Sequence, residues 1–454
     1  MSALGPIIAV IFIVLVAILL IKKFYPHAVL LFAGLAMLVV SYYLDYPVPV
    51  LTEPTGFFGF DLFRYISGSF AKTNAGVGLM IMAIGGFVAY IDKIGASKSL
   101  VYIALKPLSL FKKRPYIAAS LVIPIGQILF VCIPSAAGLG LLLMASVFPI
   151  LINLGVSRLS AVSVITACTA FGIGPASAIT ASATTIIDQD AISFFLQDQI
   201  PLVIPLSISM MVTYYFVNRY FDKKDQKEGK PLEKVEKLEL TAPLYYAIIP
   251  VLPLVLLIVF SEIFSFFETA IVLDTTTAMF ISLFVALVFE LLRKRNFREV
   301  LVSLKEFWNG MGNIFKTVVT LIIAADIFSK GLISLGFIDG LMSLSQHLGL
   351  GGVGIGIVLS VMIFLASMLM GSGNASFFSF GPLVPNIAQQ LGVKSSSIIL
   401  PMQLSASMGR TVSPVAGVLI AAAELAKVST FSIVKRNLIP LGVALIIMLI
   451  YHFI

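Results

Sequence analysis

Charge is scarce in this sequence. Asp, Glu, Lys and Arg make up 11% of its 454 residues, too few to cover the surface of a soluble chain of that length. Histidine occurs only as His27, His347 and His452, each near the end of a segment, so no metal-ligating cluster is visible. The absence of a Gly-x-x-x-x-Gly-Lys-Ser/Thr loop argues against ATP-driven work by this chain alone. No His-Glu-x-x-His and no paired intramembrane carboxylates suggest a protease, and no nucleophile stands with a base partner. The two cysteines, Cys132 and Cys168, lie in apolar runs and read as packing thiols. The single Trp308 reads as an interfacial anchor.

What fills the sequence is apolar residues, 59% of the total. Runs of about 17–25 such residues, each long enough to cross roughly 30 Å of hydrocarbon, follow one another almost without pause. They place membrane helices near 4–21, 26–44, 74–92, 159–185 and 201–218, then 243–261, 275–292, 312–335, 396–423 and 437–454. The first run reads as a retained helix, because neither a basic leader nor a small-residue cleavage site flanks it. Two further stretches, 115–153 and 352–391, are about twice a normal span. Each is interrupted by small residues, Pro134 to Gly138 and Gly371 to Asn374, and each follows a short amphipathic piece, 98–112 and 337–348. Such tips suit re-entrant hairpins, since irregular backbone is tolerated at membrane depth only when buried in protein or lining a wet cavity.

The two halves echo each other across a charged linker at 222–240. Ala83, Phe87 and Gly95 recur as Ala324, Phe328 and Gly336, and Pro149 and Gly155 recur as Pro385 and Gly392. The polar, Gly/Pro-broken helix from Thr166 to Ser182 recurs as Ser405 to Gly417. Five crossings per half is an odd number, so the second half should be inverted relative to the first. With both termini outside, Arg64, Lys72 and Lys394 are the outward basic residues, while Lys330 and Arg410 lie within membrane segments. Every other Lys and Arg falls on the cytoplasmic side, the skew that the positive-inside rule requires. The expected fold is an all-α polytopic membrane protein of two inverted repeats, each with five transmembrane helices plus a re-entrant hairpin.

Polar residues at the breaks carry the chemistry. At Ser372, Gly373 and Asn374 the glycine lets backbone approach a ligand, while Ser and Asn offer donors and acceptors. Tight helix packing through small residues is the competing reading. Ser135 and Gly138 form the first-half counterpart. In the run Gln403 to Pro414, Pro414 removes a backbone donor and should unwind the helix near Ser405, Ser407, Thr411 and Ser413. Arg410 lies there between apolar flanks, at a burial cost of about 3 kcal/mol, and its planar fork suits a carboxylate. The alternative is a structural arginine bonded to unwound carbonyls. Thr169 and Ser177 mark the matching, uncharged first-half break. Asp326 and Lys330, four residues apart on one helix, read as an internal ion pair rather than a proton relay.

The stretch from Gly371 through Arg436 resembles the anaerobic C4-dicarboxylate transporters of the Dcu type C family. The matching motifs are Gly371-Ser372-Gly373-Asn374-Ala375, Met408 through Val415, and Val434-Lys435-Arg436, with Ala137-Gly138-Leu139-Gly140 and Phe148-Pro149 in the first half. Pro175-Ala176-Ser177-Ala178-Ile179 departs from the family by lacking an Asp, and Asp326 and Lys330 stand where neutral residues are expected.

The resemblance implies a bacterial inner-membrane carrier of succinate, fumarate and malate-type diacids, working by uptake, efflux or exchange. It also implies a homodimer with a scaffold and a moving, elevator-type transport domain. Scaffold helices would be 1–112 and 241–350, and transport parts 113–221 and 351–454. No cofactor is expected beyond a coupling Na⁺ or H⁺, with Ser135 and Asn374 the place for a Na⁺. A carrier for another small organic anion, or an anion channel, is the alternative.

Overall fold

Apolar periodicity makes helices, and helices are the long regular elements of the described residues. The computed structural model describes residues 4–51, 53–111, 114–225, 241–261, 263, 271, 273–347, 349 and 351–453. Among them no strand occurs, and ten helices are long and apolar enough to cross a membrane. α1 (Leu4–Ile21) and α2 (Pro26–Tyr43) fall where hydropathy places them.

The expected helix 74–92 is only the second part of α3 (Phe58–Lys93), which is 36 residues long. Asp61, Arg64 and Lys72 depress the hydropathy of its first part. Yet Tyr65, Ser69 and Thr73 recur every fourth residue and form a buried stripe. At Gly76 (φ −112, ψ −114) the helix kinks within a π-type turn, Asn74–Gly78. Gly95, at φ +83, then turns the chain into α4 (Ala96–Leu105).

The long apolar stretch that follows divides as its small residues suggest, into α5 (Pro115–Cys132) and α6 (Ala136–Asn153). The broken helix is α7 (Arg158–Ala167) and α8 (Ala178–Ile187), and α9 (Ala191–Lys224) closes the half. Asp222, assigned to the linker from sequence, is a buried helical residue of α9, and residues 226–240 lie outside the described residues.

The second half follows the same order. α10 (Leu244–Val259) starts as a 3-10 helix containing Pro250, with Pro253 in the first turn of the α-helical part, and α11 (Thr275–Lys294) follows. The expected 312–335 is again only the later part of a long helix, α12 (Phe297–Ser334), with its own π-type turn at Phe315–Val319. α13 (Phe337–His347) leads to α14 (Gly352–Met370). Beyond the break lie α15 (Gly373–Phe380) and α16 (Val384–Leu391), joined by a 3-10 turn at Pro382. The second broken helix is α17 (Ser395–Thr411) and α18 (Gly417–Ala426). The closing helix α19 (Thr430–Phe453) starts seven residues before the expected 437, because Lys435 and Arg436 interrupt its apolar run but not its hydrogen bonding.

Packing draws most of these helices into two groups, which touch where α12 packs on α15. α3 and α12 pack on each other, with α2 against α12 and α11 against α3. A Cβ on Gly310 would stand 2.7 Å from the Gly85 carbonyl oxygen, so the two long helices meet backbone to backbone. The other group joins α5 through α9 to α14 through α19, with α9 against α19, α14 against α17 and α18 against α6. Asp326 and Lys330 pair at 2.7 Å on α12, and Ser69 of α3 donates to the same carboxylate, as an internal ion pair should.

Candidate functional site

Both long apolar stretches break on a serine cap. Ser135 Oγ accepts the Gly138 N–H at 3.1 Å and starts α6, and Ser372 Oγ accepts the Ala375 N–H at 3.2 Å and starts α15. Gly371 (φ +71) and Gly373 face protein, not a cavity. A Cβ would meet the Val415 backbone at 2.9 Å in the first case and the Ala406 carbonyl oxygen at 2.8 Å in the second. Here the small-residue packing reading holds.

Two buried amides fix the first break, between α7 and α8. The Gly172 carbonyl accepts from Gln403 Nε2 at 2.7 Å, Ser177 Oγ at 3.2 Å and Thr180 Oγ1 at 3.3 Å. Gln199 Nε2 donates to Thr180 Oγ1 and Gln403 Oε1, while its Oε1 accepts the Gly174 N–H at 2.9 Å. Every polar atom of both glutamine side chains is thereby paired, which is what a buried amide requires.

The second break, between α17 and α18, is tied by Asn437 of α19. Its Nδ2 donates to the Thr411 carbonyl and to Thr166 Oγ1, both at 3.0 Å, and its Oδ1 accepts from Tyr214. Nearby, the buried Asp222 accepts from Ser157, Ser160 and Tyr116 and pairs with Arg436 of α19.

Arg410 occupies the last turn of α17, where a cation complements the helix dipole. Its Nη2 donates to the Thr169 carbonyl, so it reaches from the second break to the first. It also lines a cavity of about 370 Å³. Ser135, Ser177, Asn374 and Ser407 line the same space. The long helices close it with Gly85 and Gly310, and add two polar groups, Asp92 of α3 and Asn313 of α12.

Five of the expected residues therefore share one cavity, and the others do not line it. Gly138 and Ser372 belong to the caps, and Gly373 to the wall beneath. The Thr169 hydroxyl turns back to the Thr166 carbonyl, and the Thr411 hydroxyl to the Ser407 carbonyl. Ser413 Oγ accepts the Val415 N–H. Ser405 is fully buried without a hydrogen-bond partner. Helical spacing separates these fates: Gln403, Ser407 and Arg410 share a face of α17, and Ser405 does not. Sequence reading assigned no role to Asp92, Asn313, Gln199 or Asn437. Asn437 could have been singled out as an amide inside an apolar helix.

A model of the C4-dicarboxylate anaerobic carrier family, DcuC, matches residues 4–454. A probable anaerobic C4-dicarboxylate transporter DcuC of Vibrio cholerae is 35% identical over 437 residues, covering 95% of this chain and 93% of that protein. The anaerobic C4-dicarboxylate transporter DcuC of Escherichia coli K12 is 33% identical over 444 residues, covering 98% and 95%. In fold, the chain is similar to the YdaH transporter of Alcanivorax borkumensis, with a TM-score of 0.60 at 14% identity over 94% of this chain and 98% of that one. It is also similar to MtrF of Neisseria gonorrhoeae, with a TM-score of 0.58 at 13% identity over 94% of each chain. At such identities these two bear on the fold alone.

Proposed function

The chain belongs to the C4-dicarboxylate anaerobic carrier family, so it is a multi-pass membrane transporter of C4-dicarboxylates and not an enzyme; from that premise we propose where the cargo binds and how it crosses. One carboxylate of a succinate, fumarate or malate seats on Arg410. The remainder lies against the hydroxyls of Ser135, Ser177 and Ser407 and the amide of Asn374. The observation that carries this is the placement of Arg410. Its hydrogen bond to the Thr169 carbonyl engages Nη2, while the side chain also lines the cavity, and its planar fork has further donors to offer a carboxylate. A dianion leaving water needs such a charged partner, because hydroxyls and backbone dipoles recover only part of the hydration lost.

Crossing is by alternating access in a bacterial inner-membrane homodimer with both termini periplasmic. The halves 1–221 and 241–454 act as inverted repeats, and the two stretches 115–153 and 352–391 as re-entrant hairpins. The group built on α3 and α12 is the scaffold. The group carrying the tips and breaks moves against it as an elevator. Support comes from the sorting of the helices into these two groups, with the cavity where they meet. Exchange against a second diacid, or coupling to Na⁺ or H⁺, drives the cycle, and a Na⁺ would use the side-chain oxygens of Ser135 and Asn374.

Counterflow in proteoliposomes tests the reading. Vesicles loaded with unlabelled succinate should accumulate labelled succinate transiently above equilibrium, and imposed Na⁺ or pH gradients should identify the driving ion. Simple equilibration without overshoot would overturn the carrier in favour of an anion channel.

A further inference from the structure

The cavity also holds a carboxylate. Asp92 is accessible, lines the same space as Arg410, and comes from the long helix α3 rather than from the tips and breaks. It faces the first tip: a methyl added to Gly138 would stand 3.6 Å from Asp92 Oδ2. Among the described residues no ion pair engages it. Ser97 and Lys98 of α4 act on its carboxylate. Lys93 on its own helix points to Glu306 of α12 at 3.9 Å. Glu290 of α11 is held by Arg293, Lys294 and the Tyr246 hydroxyl. Tyr90 bonds Ser303, α8 contributes no ionisable side chain, and Arg410 shares the cavity.

Charge counting makes Asp92 matter. Arg410 and Asp92 together bring no net charge to the cavity, so a dianion seated on Arg410 brings its far carboxylate into a space that already holds one. Two carboxylates brought within a few ångströms of each other, away from bulk water, hold one proton between them. We propose that Asp92 shares a proton with the far carboxyl of the bound diacid, so that the complex contains one proton more than the free dianion and the ionised Asp92. This rests on the assignment of Arg410 to the near carboxylate. The proton comes from solution and bridges two oxygens; no covalent bond changes. Ser135, Ser177, Asn313 and Asn374 are neutral and cannot play this part. Asp92 is the acidic side chain lining the cavity.

Calorimetry of the purified full chain with succinate, in buffers of different ionisation enthalpy, counts the protons taken up on binding. At a pH well above the second ionisation of succinate, the wild type should take up about one proton per succinate, and its Kd should rise about tenfold per pH unit. Asp92→Asn offers an amide donor to the dianion instead. It should still bind, with no proton uptake and a flat pH profile. Wild-type binding without proton uptake overturns the proposal whatever the variant does. So does an Asp92→Asn protein that takes up the same proton, or one that folds and no longer binds. Arg410→Ala separates the two readings: unchanged succinate binding there removes the cargo assignment itself, independently of any proton count.

Discussion

The guanidinium of Arg410, at the end of α17, donates to the backbone carbonyl of Thr169 in the break between α7 and α8. One side chain thus joins the two unwound segments, which lie 241 positions apart in the chain. It lines the cavity as well as bridging the breaks, so substitution should damage cargo binding before it damages the fold.

Arg410→Ala should weaken succinate binding by about 3 kcal/mol, roughly a hundredfold, since a charge-assisted contact to a desolvated carboxylate is lost. Arg410→Lys should fall between wild type and alanine, because a point charge cannot match the fork. Succinate-dependent thermal stabilisation of each purified variant measures both. A folded alanine variant with unchanged affinity would leave Arg410 as a structural arginine and nothing more.

Gln403→Leu should strip the Gly172 carbonyl and Gln199 of a shared partner while keeping the volume. The expected loss is about 1–3 kcal/mol of stability for the groups left unpaired, with roughly tenfold weaker succinate binding as the first break loosens. Thermal unfolding and binding isotherms should change together. A lowered melting temperature with an unaltered Kd would show that the break's geometry does not govern the cavity.

Asp222→Ala should act differently. It leaves Arg436 buried without its carboxylate, a loss of about 3–5 kcal/mol. Asp222 does not line the cavity, so the folded fraction should bind succinate as the wild type does. Size-exclusion profiles after a heat step report the stability, and calorimetry on the surviving monodisperse protein reports the binding.

Orientation can be read with cysteine labelling after Cys132 and Cys168 are replaced. A cysteine within 226–240 should react only from the cytoplasm, and one at Asp188 only from the periplasm. Labelling of the linker from outside would reverse the topology.

The breaks were legible in the sequence because glycine, proline and small polar residues cluster there, as around Pro134, Gly174 and Pro414, whereas Pro124, Pro205 and Pro440 stand singly inside helices. Arg410 was legible for the same reason, as the cost of a charge between apolar flanks. What escaped has a physical cause in each case. Asp92 is followed directly by Lys93 at the end of an apolar run, the pattern of a solvated helix end, and only tertiary packing brings the first tip beside it. Gln199 follows Asp198 and stands two residues before Pro201, so it reads as loop, yet it is fully buried. The first part of α3 was lost to its charges, although its buried stripe of Tyr65, Ser69 and Thr73 follows helical spacing. Ser405 and Ser407 are indistinguishable by composition; a turn of about 200° between them decides which one meets the cavity.

The first break meets Arg410 and Gln403 through the carbonyls of Thr169 and Gly172, atoms that every amino acid possesses. Position 169 can therefore change its side chain, within the limits of a buried neighbourhood, without altering the group that Arg410 touches. Mutational scanning would register one partner of that contact sharply and the other hardly at all. For that contact, a functional map drawn from substitution data alone would trace the second half's end in relief and leave the first half's nearly blank, though each provides one end of the same bond.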